Sequence, residues 1–275
     1  MHELKVAFLN VGHGEFIYAV TPNGSTLVID VGTGEHLVPS AFLRNVPKIS
    51  ELQISHPHTD HFDDIMAIST KPFLSFTCPD VAGFSDEAIG WKKGDKGKID
   101  TLRELQQTRP SLPFLMCEPN GFIYKVWPPT EVDSDDPNTA SLVTILSYQG
   151  VTILLGGDLP AKGWESLLTT KKDFVAAAAA TTIFKAPHHG REDSCCEALL
   201  AWMVPKLCII SDKPLDKDKK NAAAAKWYEE RSLGCDVVGS KGKRKVLTTR
   251  NDGSVFISVG EQGKLSVYPH TEWKN

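Results

Sequence analysis

The sequence predicts a mixed α/β fold, a two-sheet sandwich covered by helices. Two sets of short apolar segments rich in Val, Ile, Leu, Phe and Tyr occupy the first third and the middle of the chain, and helical patterns stand between and after them. The composition is that of a folded globule, with 41% apolar and 23% charged residues over 275 positions, which excludes disordered and collagen-like chains.

Residues 4–10, 15–20 and 26–31 read as strands, because Gly12-His13-Gly14 and Pro22-Asn23-Gly24 cut the apolar run into strand-length pieces. Residues 52–55 form a further short strand ending in a histidine-rich turn, and 63–69 start a helix with acidic residues in its first turn. Residues 83–98, rich in glycine and charge, read as a surface loop, and 100–109 as a helix. Residues 122–127, 141–148 and 151–155 are the second strand set, the last two joined by a hairpin at Gln149-Gly150. Helices are predicted over 159–169, 194–203 and 222–231, and strands over 181–185, 207–211, 246–249 and 255–259. The alanine blocks 176–180 and 222–225 suit helices and carry no functional weight. No linker, fixed-period repeat or domain break interrupts the pattern, so residues 1–275 read as one domain.

Net charge is −4, which argues no general attraction to nucleic acid or an anionic membrane. Residues 206–250 nonetheless hold 12 Lys/Arg against 6 Asp/Glu, a local excess of +6. Six cysteines without a CxxC pair read as reduced packing thiols. No signal peptide is visible after Met1, and the longest apolar stretch, near 174–184, is too short to span a bilayer, so the expected location is cytoplasmic, off the membrane.

Three segments carry chemistry. Ser55-His56-Pro57-His58-Thr59-Asp60-His61 places three imidazoles and a carboxylate directly after a strand; His56 and His58 can aim at one ion while Asp60 and His61 turn toward a second. Gly156-Gly157-Asp158 puts a carboxylate at a strand end, where its two oxygens can bridge two cations, although the same residues make a good turn and helix cap. Pro187-His188-His189-Gly190, at another strand end, offers one ligand and one supporting or substrate contact.

Together these segments resemble the metallo-β-lactamase superfamily, whose HxHxDH motif His56-Pro57-His58-Thr59-Asp60-His61 matches in full. Asn10-Val11-Gly12-His13-Gly14-Glu15 is similar to the Asn-Val-Gly-Gln-Gly-Asp opening of the branch containing the hydrolase domain of the DNA-uptake protein ComEC, and Leu27-Val28-Ile29-Asp30-Val31-Gly32 to that branch's second strand. Asn138-Thr139-Ala140-Ser141-Leu142-Val143, Gly157-Asp158-Leu159 and Pro187-His188-His189-Gly190 follow in the order of that branch, so the resemblance spans roughly residues 4–260. It implies a four-layer αββα sandwich and a metal-dependent hydrolase with two divalent ions, Zn or Mn. His56 and His58 would hold the first ion. Asp60, His61 and one of His188 or His189, with His188 favoured, would hold the second, and Asp158 would bridge. A hydroxide between the ions would attack the substrate, with Asp60 orienting it and His189 as the further catalytic contact. Asp30 would support the histidine turn, and Asn138 and Ser141 stand where many members place another histidine.

The chain departs from the branch at His13 and Glu15, and its later Gly-His-Pro-His segment is replaced by Ser211-Asp212-Lys213-Pro214-Leu215-Asp216. The membrane channel of DNA-uptake proteins has no counterpart in this sequence, so a role in DNA import does not carry over. Phosphodiesters, nucleic acid among them, are the expected substrates, with the lysines of 213–226 and 241–245 as candidate phosphate contacts against a plain solvated face. Trp227 and Tyr228 read as base-stacking or core residues. The competing readings are a carbonyl ester, lactone or thioester hydrolase, and a non-catalytic partner or sensor.

Overall fold

Alternation at period two sorts the strand residues into two faces, and both faces of each sheet are apolar over much of their length, so each sheet needs cover on both sides. The computed structural model, which describes residues 2–90, 92, 95–109, 116–118, 120–213 and 224–270, meets that need with four layers. The first sheet runs in the spatial order β14-β13-β1-β2-β3-β4-β5. Its strands are β1 (Leu4–Phe8), β2 (Ile17–Val20), β3 (Thr26–Ile29), β4 (Ile49–Gln53), β5 (Phe73–Thr77), β13 (Ser254–Val259) and β14 (Leu265–His270). The second runs β12-β11-β10-β9-β8-β7-β6. Its strands are β6 (Met116–Cys117), β7 (Ile123–Trp127), β8 (Val143–Tyr148), β9 (Val151–Leu155), β10 (Thr181–Lys185), β11 (Leu207–Ile210) and β12 (Val246–Thr248).

Each sheet joins an antiparallel half to a parallel half: β3, β4 and β5 pair in parallel in the first, and β9 through β12 in the second. Between the sheets lie Val6, Phe8, Leu27, Leu146, Ile153, Ile183 and Leu207. Their strand neighbours Ala7 and Val28 face an outer layer with Phe62, Ile65, Leu102 and Leu105, while Leu154, Phe184 and Ile210 face another with Trp164, Leu167, Phe174 and Leu199. The expected αββα sandwich is therefore present. A buried polar contact also joins the sheets, since Tyr124 donates to Gln53 Oε1 at 2.7 Å and Gln53 Nε2 donates to Thr144 at 2.9 Å.

The Gln149-Gly150 hairpin forms as expected, with both residues at positive φ (50° and 79°) between the paired Tyr148 and Val151. Three strands lie outside the sequence expectation, the two-residue β6 among them. β5 follows the Lys71-Pro72 break, and β14 contains Pro269, which an edge strand tolerates because one side of its backbone needs no ladder. The helix expected over 63–69 is two short turns, Thr59–Phe62 and Ile65–Ile68, so the histidine motif itself starts the first. The helix Lys96–Thr108 begins a turn before the expected 100–109, and Lys172–Ala179 makes the first alanine block helical. The helix expected over 222–231 is described from Ala225 to Glu230; residues 222 and 223, like most of the basic stretch 213–226, lie outside the described residues. Tyr228 is core rather than base-stacking surface, packed with Phe184, and Arg231 covers the Trp227 ring at 4.4 Å. No helix among the described residues is long and apolar enough to cross a membrane.

Candidate metal centre

The parallel halves bring the carboxyl ends of β3, β4, β9, β10 and β11 to one edge of the sandwich, the usual place for a site in sheets of this kind. Asp30 follows β3, the motif 55–61 follows β4, Asp158 follows β9, His188 and His189 follow β10, and Ser211 follows β11. The two sheets touch there, where the Leu142 amide donates to the Ser55 carbonyl at 2.9 Å.

Asp30 organises the histidine turn. It is buried at φ 58°, a left-handed conformation in which its carboxylate faces back into the turn. Oδ1 accepts the Ser55 amide at 2.7 Å, and Oδ2 accepts the Ser55 hydroxyl and the His61 Nδ1–H, each at 2.7 Å. That bond holds the His61 ring with Nε2 facing inward. His189 is fixed in the same sense, its Nδ1–H donating to the Ser211 carbonyl at 3.0 Å.

The inward atoms converge on two carboxylates. Asp158 Oδ2 lies 3.4 Å from His61 Nε2, 3.6 Å from His189 Nε2 and 3.9 Å from His56 Nε2. Asp60 Oδ2 lies 3.4 Å from both His189 Nε2 and His13 Nε2. His58 Nδ1 is 3.1 Å from His56 Nε2 and 2.9 Å from Asn138 Oδ1, and the Asp158 amide donates to the Ser141 hydroxyl at 3.0 Å.

Most of these separations are long for hydrogen bonds but fit donors that share an ion, since two ligands each about 2.0–2.2 Å from a common ion stand roughly 3–3.6 Å apart. Asp158 Oδ1, His61 Nε2 and His189 Nε2 are buried without a hydrogen-bond partner, and a cation beside the Asp158 carboxylate would serve all three. The donors fall into two groups with all ligand atoms within 4.8 Å, His56/His61/Asp158 and His13/Asp60/His189. By geometry and donor chemistry these residues fit divalent metal.

The charges interlock. Burial pushes His56 well below its ordinary pKa. Burial also works to lower His61, but Asp158 and Asp30 on either side raise it well above the ordinary value. Burial would raise Asp158, yet the imidazoles of His61 and His189 hold it well below the usual carboxylate range. His13, nearer the surface, is lowered to about 4 by burial and by the charge of His189, with Lys213 and Arg191 adding to the effect and Asp60 opposing it.

The structure thus gathers His56, His58, Asp60, His61, Asp158 and His189, with Asp30, Asn138 and Ser141 against them. His188, the favoured ligand of the pair, points elsewhere. Its Nδ1 lies 2.9 Å from Asp193 and its Nε2 accepts from Arg191 Nη1 at 3.1 Å. Both histidines adopt left-handed backbone (φ 48° and 53°), at a cost of about 1–2 kcal/mol each, and this double turn carries His188 outward and His189 inward.

Sequence reasoning did not place His13 in the centre, nor the buried ion pair below it. Lys185 Nζ meets Glu15 Oε2 at 2.5 Å, with both side chains buried, and Glu15 Oε1 accepts the Ser211 hydroxyl at 3.0 Å. A lysine inside the apolar strand Thr-Thr-Ile-Phe-Lys is the one local signal of such a partner.

No family model matches the chain. Over 98 residues it is 32% identical to a UPF0173 metal-dependent hydrolase of Anaeromyxobacter dehalogenans, a match covering 35% of each protein. Over 299 aligned positions it is 20% identical to ComE operon protein 3 of Bacillus subtilis, covering 97% of this chain and 34% of that protein. The matches span about a third of the length of these curated relatives. The resemblance to the ComEC-like branch is borne out by the second of them. A solved structure of a CmlA beta-hydroxylase variant aligns with a TM-score of 0.48 at 11% identity, covering 78% of this chain and 46% of that one.

Proposed function

We propose that this chain is a metal-dependent hydrolase that cleaves phosphodiesters, nucleic acid among them. The observation that carries the metal reading is that His61 Nε2 and His189 Nε2, buried without a hydrogen-bond partner, both face the buried carboxylate of Asp158, whose Oδ1 also lacks one. In this reading His56 and His58 would hold one divalent ion and Asp60, His61 and His189 the other, with Asp158 and His61 also close enough to His56 to serve the first. The nitrogen-rich, mixed donor set suits Zn or Mn. When bound, two such ions supply an activated water and neutralise charge on the attacking and leaving oxygens.

The chain's own residues prepare that chemistry. Asp30 and the Ser211 carbonyl hold the rings of His61 and His189 with Nε2 inward, so no ring flip is needed on loading. Asp60 lies beside His189 toward the open side, placed to orient a water or a substrate oxygen. Arg191 and Lys213 act electrostatically on His13, which puts positive charge at the rim and favours an anionic substrate over a neutral ester. The apolar groove of about 360 Å³ lined by Ala7, Tyr18, Phe42 and Phe256 lies on the outer face of the first sheet and shares no residue with the cluster, so it offers no acyl pocket to the centre.

The test is hydrolysis of bis(p-nitrophenyl) phosphate by metal-stripped protein resupplied with Mn or Zn. Turnover that returns with metal and is lost in Asp158→Ala is expected. Protein that takes up metal and cleaves carboxylic esters or thioesters but no phosphodiester would overturn the substrate assignment.

A further inference from the structure

We propose that His13 is a protein ligand to the ion held by Asp60 and His189, a nitrogen donor in the position where the ComEC-like branch carries glutamine. The inference rests on the metal-centre reading above and adds to it a ligand outside the histidine motif.

Three observations carry it. His13 Nε2 and His189 Nε2 are equally distant, at 3.4 Å, from the same oxygen, Asp60 Oδ2, and the two rings lie 5.0 Å apart between centroids, so their nitrogens flank one point. The three ligand atoms all fall within 4.8 Å of one another, the span of a single coordination sphere. His189 Nε2 is buried without a hydrogen-bond partner between the Asp60 and Asp158 carboxylates, a point at which a cation would serve all three.

The turn carrying His13 is fixed rather than adaptable. Gly14 has φ 139°, and a Cβ there would meet the Asp60 carbonyl oxygen at 2.8 Å; a Cβ on Gly32 would meet the same oxygen at 1.8 Å. The Glu15 amide donates to the Asp60 carbonyl at 3.2 Å, and the Gly32 amide to the Glu15 carbonyl at 2.9 Å. The glycines therefore let residues 12–15 close directly onto the backbone of the residue that supplies the carboxylate, and His13 is carried with them. A third imidazole at this ion shifts its preference toward Zn, Fe or Ni over Mg or Ca.

The test compares wild type with His13→Gln, which restores the branch's residue at a partly exposed position. Cobalt(II) is titrated into metal-stripped protein against a competing chelator, with the visible absorption of bound cobalt recorded. One of the two ions is expected to bind at least about 10-fold more weakly in the variant, with a changed cobalt spectrum, while circular dichroism stays that of wild type. In cadmium-loaded wild type, which needs no variant, proton–cadmium correlation is expected to reach the His13 ring as well as that of His189. Unchanged affinities and spectrum in His13→Gln, with no correlation to His13, would overturn this inference alone and leave His13 to the substrate. Wild type that takes up no cobalt would overturn the metal-centre reading and this inference with it.

Discussion

His188 and His189 are adjacent, chemically identical and opposite in fate, which marks how far residue identity alone reaches. The motif 56–61 was legible because its four donors fall within six residues, and Asp158 because two glycines and a strand end announce it. The choice between His188 and His189 depends on two left-handed φ values that no local propensity announces. Cys208 shows the opposite case, a thiol correctly read as packing. Burial raises it from its ordinary 9.0 to about 12. Between those values the unfolded chain releases a proton that the folded chain keeps, so stability falls as pH rises through that window. Cys208 contributes up to about 1.4 kcal/mol per pH unit to that fall. Urea unfolding at several pH values from 9 to 11 is expected to show a shallower decline in Cys208→Ala than in wild type; parallel declines would contradict the assignment.

At the scale of elements, the Glu15–Lys185 pair ties the turn before β2 in the first sheet to the end of β10 in the second. It lies directly beneath the centre, since Glu15 also holds Ser211, whose carbonyl orients His189. The partners belong to different sheets and are distant in sequence, so only the tertiary fold could reveal them. A buried pair is expensive to break and cheap to replace, because removing one member strands the other's charge. Lys185→Met is therefore expected to destabilise by about 3–5 kcal/mol, and the double variant Lys185→Met/Glu15→Gln by clearly less. Chemical denaturation of the four proteins measures the coupling, and additive losses would show that the pair acts as two independent residues. β5 and β14 escaped sequence reading for a related reason. Their pairing with β4 and β13 makes them strands, while Pro72 and Pro269 obscure the local pattern.

At the scale of the molecule, the sandwich exists in order to bring two parallel half-sheets to one edge. A two-sheet sandwich covered by helices was legible because strand-length apolar runs come in two sets with helices between them, and the motif resemblance supplied the αββα order. Its consequence, donors from the ends of β4, β9 and β10 meeting at Asp158 and Asp60 and braced by residues after β3 and β11, came from the structure. The account stands on that meeting point holding metal. The most direct measurement is the metal content of the purified protein after dialysis against Zn or Mn, by plasma mass spectrometry, paired with thermal unfolding of the loaded and stripped forms and with Asp158→Ala alongside. The account predicts two ions per chain in wild type, fewer in Asp158→Ala, and a wild-type melting temperature raised by loading, since saturation at 100 times Kd adds about 2.7 kcal/mol per site. A wild-type protein that retains no divalent metal and melts at the same temperature with and without it would contradict the account.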